Sequence, residues 1–317
     1  MKLQELYALA IEMGMEADPR GRAAAEKCLL KAKKAFDKLD EEEQPFFDRD
    51  QLINPYGDTR ILNGEPDAEI RKLIAGVDME LSELLLADRL NEKGAGIDLV
   101  LAHHPEGRAL LNLPRVMGLQ PLAFAGAGVQ LNVAESLLEG RCREVETSVG
   151  VSNYNRAVDA ARLLGLNMMC VHTPCDNLVN TFLTKLMEAE APETVGDVCK
   201  LLRSIPEYEL AAKTNNPAMI VSGCAERSAG KVFVDMTGGT GGPKEYYRLL
   251  SEAGVGTVLC MHAGKDTIEV SKEAHISVVI AGHMPSDSLG INLFLDQVEA
   301  AGVETLCCSG LTRFKRS

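Results

Sequence analysis

The stretch "KLIAGVDMELSELLLADRLNEKGAGIDLVLAHHP", residues 72–105, decides the fold class. Residues 72–79 read as a strand, 82–94 as a helix closed by Gly94, and 97–103 as a second strand. Both strand runs are apolar on both faces, the pattern of a sheet covered on two sides. The connection is too long for a hairpin and fits a helical crossover between parallel strands. The unit recurs at 232–262, "VFVDMTGGTGGPKEYYRLLSEAGVGTVLCMH", again strand, helix, strand and His. Both copies carry Val-Asp-Met at the first strand end (77–79 and 234–236), and both carry Gly-x-Gly before the second strand (Gly94 and Gly96; Gly254 and Gly256). The spacing to the terminal His differs by one residue. The expected architecture is α/β: duplicated strand-helix units in mixed sheets, helices packed outside, with related halves at about 70–180 and 230–310.

Between the copies the pattern predicts a helix at 155–166, a strand at 167–173 and helix near 178–203; after the second copy, a strand and a helix follow from residue 275. Upstream, Leu3, Leu6, Ala10 and Ile11 recur at helical spacing. A second helix is announced by Asp18 as N-cap and Pro19 at the first helical position. Residues 1–45 read as a helical accessory segment, and 46–317 as the α/β domain. The stretch 40–67, rich in Asp, Pro and Gly, reads as a long loop joining them.

Of the 317 residues, 46% are apolar and 25% charged, the balance of a globular protein with ample core material. The net charge of −13 repels polyanions, which argues against nucleic-acid binding, and favours divalent cations. No apolar run is long enough to span a membrane, and acidic residues interrupt the N-terminus where a signal peptide needs an apolar core. Nine cysteines, an odd number with no C-x-x-C pair, point to a reducing cytoplasm and buried thiols.

Three predicted strands end in a His with chemistry beside it: His103 and His104 in "AHHP", His172 with Asp176 in "VHTPCD", and His283 with Asp287 in "GHMPSD". In open α/β sheets, ligands collect at the carboxyl ends of strands. Imidazole with carboxylate suits Zn, Mn, Fe or Ni. Adjacent residues of a regular strand face opposite ways, so His103 and His104 most naturally serve one ion each, or one shared pair, where the backbone turns before Pro105. The i, i+4 spacing brings His283 and Asp287 to one face. The plainer alternatives are hydrogen-bonded structural histidines, and Asp176 and Asp287 as helix caps. "TGGTGGPK" (237–244) fits neither phosphate-loop spacing and reads as a tight Gly turn whose amides can hold an anion.

The set "DLVLAHHP", "VHTPCDN" and "AGHMPSDSLGI" resembles the motifs of the Nif-three-like dinuclear-metal proteins, many of which are known as GTP cyclohydrolase type 2 homologues. "NPYGDTRILNGEPD" and "TGGTGG" resemble that family's opening loop and Gly turn; the likeness covers roughly residues 50–310. It implies intertwined halves, a ring-shaped homo-oligomer such as a hexamer, and two divalent metal ions per protomer held by His103, His104, Asp176, His283 and Asp287. It further implies attack on a purine-like ring. Three departures stand out: Asp287 where the family usually has Glu; Glu106, Gly107 and Arg108 after His-His-Pro; and "NLVN" in place of a Gly-rich segment.

The leading functional expectation is a metal-dependent hydrolase acting on a small nucleotide- or purine-like substrate through a metal-activated water. His172 would orient Asp176 or shuttle a proton. Arg108 and His262 would contact substrate. The alternative is a non-enzymatic metal carrier handing ions to an acceptor, or a metal-dependent scaffold.

Overall fold

A computed structural model describes residues 1–316 of the chain. It opens with α1 (Leu3–Glu16), α2 (Arg22–Phe36), β1 (Arg60–Asn63), β2 (Lys72–Gly76), α3 (Leu81–Glu92) and β3 (Leu99–Ala102). A helical stretch follows: α4 (Gly107–Leu111), α5 (Leu113–Val116), α6 (Gln120–Ala127), α7 (Leu131–Gly150) and α8 (Arg156–Leu164). Then come β4 (Asn167–Cys170), α9 (Thr173–Glu190), α10 (Val195–Arg203) and α11 (Pro206–Lys213). The second unit runs β5 (Met219–Ser222), β6 (Lys231–Asp235), α12 (Tyr246–Glu252), β7 (Val255–Cys260), α13 (Lys265–Glu273), β8 (Ser277–Ile280) and α14 (His283–Ala300), and β9 (Glu304–Cys307) closes the chain.

Two mixed sheets result, ordered β1-β4-β3-β2-β9 and β5-β8-β7-β6. Four parallel strands in the first sheet and three in the second are flanked by an antiparallel edge strand, β1 or β5, and each edge strand has a register shift against its neighbour. β9 returns from the second unit to lie parallel to β2, so the chain's end is woven into its first sheet.

Helices cover the outer faces, as expected, but they also fill the space between the sheets. Ile291, Phe294 and Val298 of α14 join Leu73, Leu101 and Val171 of the first sheet in one core. Leu289 of α14 and Val179 and Leu183 of α9 join Val234, Leu259 and Val279 of the second sheet in another. This helix pair, apolar on opposing faces, is the wall that both sheets share.

Several expectations are corrected by packing. α1 is not an added layer: Leu3, Leu6, Ala10, Ile11 and Met15 lie in the main core with Val171 and Phe294. α2 begins at Arg22, after Gly21. Asp18 does not cap it, because its carboxylate pairs with Arg20 and accepts from the Tyr56 hydroxyl. The stretch 40–67 is not all loop, since β1 pairs with β4; four residues with no alternation leave no strand signal until that partner exists. Residues 107–150, unread in sequence, are mostly helical, and Phe124, Ala127 and Ala134 pack with Tyr246, Leu250 and Val258 of the second unit. Among the described residues no helix is long and apolar enough to cross a membrane.

Candidate metal centre

α9 and α14 begin alike. Each opens on His-x-Pro-x-Asp, residues 172–176 and 283–287, with proline in the first turn, where its missing N–H costs nothing. The i, i+4 spacing sets His172 Nε2 3.7 Å from Asp176 Oδ2 and His283 Nε2 3.4 Å from Asp287 Oδ2. The helices approach closely because Gly290 has no side chain: a Cβ there would run into the Cys175 carbonyl. Both helix starts therefore meet at the end of β3, where His103 and His104 follow the last strand residue.

The adjacent histidines project into the same space, ring centroids 5.3 Å apart. The backbone still follows the ladder, His103 N–H donating to Gly76 O and His104 N–H to Val77 O. His103 Nε2 lies 3.4 Å from Asp176 Oδ1 and 3.6 Å from Asp287 Oδ1. His104 Nε2 lies 3.5 Å from Asp287 Oδ2. Potential ligand atoms thus gather in three groups: His103, Asp176 and Asp287; His104, His283 and Asp287; and His103, His104 and His172. Asp287 belongs to two of them, one oxygen toward each.

These separations are long for hydrogen bonds, and His103 Nε2 and both Asp287 oxygens are buried without a hydrogen-bond partner. Ligands about 2.1 Å from a tetrahedral ion stand about 3.4 Å apart. The spacing is that of a coordination shell. Neither aspartate caps its helix: the N-cap positions are His172 and Gly282, with Asp176 the fourth residue of α9 and Asp287 the fifth of α14.

The other ring nitrogens fix the orientation. His103 Nδ1–H donates to the Val171 carbonyl (3.0 Å), His172 Nδ1–H to Asp58 (2.8 Å) and His104 Nδ1–H to Asp78 (2.6 Å). Each leaves the Nε2 lone pair aimed inward, the arrangement that orients metal-binding histidines. Electrostatics agree. Burial disfavours the His103 cation, but Asp287 and Asp176 outweigh it and hold its pKa well above the usual value. Burial alone would raise Asp287; His103 and its neighbours instead depress it far below the carboxylate range. Burial lowers His283, and Asp287 offsets this only in part.

The sequence-predicted residues His103, His104, His172, Asp176, His283 and Asp287 converge. His262 stands beside them, its ring centroid 5.3 Å from that of His283. Arg108 does not: it is exposed, turned toward Asp50 at 3.5 Å, and absent from the cavity wall. Sequence reasoning missed Asp58 and Asp78. Asp78 lay in the repeated Val-Asp-Met, and Asp58 in the Gly-Asp-Thr of the opening loop; neither spacing announces its histidine partner. From the His cluster a cavity of about 1040 Å³ extends to the Gly turn 237–242 and to Phe124, Tyr246 and Asp235.

Two mixed sheets around a shared helix pair, with a His/Asp cluster at the strand ends, define an α/β protein whose clustered side chains could hold a metal ion. No protein-family profile matches the chain, and no curated protein matches it. Among solved structures, it is similar to a NIF3 superfamily protein from Sphaerobacter thermophilus, with 29% identity over 80% of this chain and 92% of that one, at a TM-score of 0.72. Reduced HcgD from Methanocaldococcus jannaschii shares the fold at 14% identity, over 78% of this chain and 87% of that one, with a TM-score of 0.51. The chain has the fold of these NIF3-like proteins.

Proposed function

We propose that the chain is a metal-dependent hydrolase of a small molecule, binding two divalent ions, one at His103, Asp176 and Asp287 and one at His104, His283 and Asp287. The observation that carries this is Asp287: a fully buried carboxylate whose two oxygens, without hydrogen bonds, face two different ligand groups. Burying such a charge costs several kcal/mol, about 3–5 when its partner is missing, so cations are the natural complement. Bound divalent ions would supply Lewis acidity and lower the pKa of water toward neutrality.

The chain's own residues divide the remaining work. Asp58 and Asp78 hold His172 and His104 in the tautomer that presents Nε2. His172 lines both the cluster and the cavity, in position to move a proton between Nε2 and a bound molecule. The buried wall of α9 and α14 excludes water from behind the cluster. Elemental analysis of metal-supplemented protein, followed by a screen of amide, ester, ring-amidine and phosphoester substrates, tests the reading. Hydrolysis should vanish with chelator and in Asp287→Asn. Full metal content with no turnover of any class, together with transfer of the ions to an apo-acceptor, would replace it with the carrier reading.

A further inference from the structure

Asp235 ends β6 with nothing opposing its charge. It is the aspartate of the second Val-Asp-Met, as Asp78 is of the first. Asp78 is committed to His104; Asp235 has no such partner among the described residues. Its cross-strand neighbour is Cys260, Tyr246 and Tyr247 stand nearby, and burial alone pushes its carboxyl up to about 7. One motif position thus carries a paired carboxylate in one sheet and an unpaired one in the other. The unpaired one lines the cavity that reaches His104, His172 and His283.

The rest of that wall selects for positive charge. Its described basic residues are both engaged: Arg141 with Glu144 and the Gly241 carbonyl, Lys244 with Asp266. Glu144, Asp176, Asp235, Glu245 and Asp266 outnumber them, and the chain's net charge of −13 has the same sign. A cavity-wall carboxylate with no cation opposing it is the setting in which a cationic nitrogen is bound by charge-assisted hydrogen bonds.

We propose that Asp235 is the recognition carboxyl of this cavity, and that the molecule it selects carries a cationic nitrogen group (an amine, amidine or guanidine). The proposal rests on reading the cavity as the substrate chamber of the metal centre. Benzamidine is the probe, with benzamide and benzoate as its neutral and anionic matches, each titrated calorimetrically into metal-loaded and metal-free protein. Benzamidine should bind at least tenfold more tightly than either match in both forms. Asp235→Asn should abolish that preference, Asp235→Glu should keep part of it, and metal content should stay at the wild-type level in both. Equal binding of benzamidine and benzamide, a preference that survives Asp235→Asn, or loss of metal in Asp235→Asn would each overturn the proposal. Absence of metal in the wild type would strike the hydrolase reading alone, because the amidine preference is read in the metal-free protein as well.

Discussion

Asp287→Asn is the sharpest probe of the metal centre. Asn keeps the shape, and Asp287 makes no cap whose loss would unfold α14. What changes is charge at a point 3.4–3.6 Å from His103, His104 and His283. Removing one partner of a buried, charge-compensated site costs about 3–5 kcal/mol. At about 1.4 kcal/mol per factor of ten, affinity for divalent metal should fall by about two to three and a half orders of magnitude. Because each oxygen faces a different ligand group, both binding events should weaken together rather than one alone. The thermal stabilisation by metal should shrink with them: an ion at about 100 times its Kd adds about 2.7 kcal/mol, worth several degrees for a chain of this size. Titration calorimetry with Zn²⁺ and Mn²⁺, and melting curves with and without metal, supply the measurement. Two wild-type binding events in the Asn variant would refute the reasoning, because the carboxylate would then be no ligand.

Asp58→Asn should lower metal affinity about 10- to 100-fold without contact to an ion: its amide donates to His172 Nδ1 and puts the proton on Nε2, which then faces the Asp176 carboxylate as a donor and competes with the ion for that ligand. An unchanged calorimetric isotherm would remove His172 from the centre. Gly290→Ala should cost about 1–3 kcal/mol in denaturant unfolding and weaken metal binding as well, since the new methyl meets the Cys175 carbonyl and pushes α9 from α14; wild-type stability would deny that close approach. The His103 pKa is raised in the folded protein, so its ion pairing stabilises the metal-free chain below about pH 6.5, the unfolded value, and that contribution is lost as pH rises through the folded pKa. An incoming ion must displace that proton, so metal affinity should climb with pH up to the folded value and level off above it. Calorimetry at neutral pH in buffers of different ionisation enthalpy should show about one proton released; no release would contradict it.

What the sequence by itself determined is local. Apolar runs of strand length separated by helical ones defined the parallel units, and they folded where the periodicity put them, at 72–76, 81–92 and 99–102. The i, i+4 step from His172 to Asp176 and from His283 to Asp287 put each pair on one helix face before any tertiary contact formed. Whatever depended on residues far apart in the chain was decided only by the tertiary structure. Asp58 meets His172 across 114 positions, a partnership no spacing encodes. β1 becomes a strand because β4 offers an edge, and β9 joins the first sheet from the end of the second unit. Arg108, next to the His-His-Pro in sequence, turns away because Asp50 draws its charge elsewhere. Asp78 and Asp235 share a motif and part company for the same reason. A side chain's role is set by what packs against it, and those neighbours are assembled by burial of the shared wall of α9 and α14, which brings two sheets and two helix starts to one point.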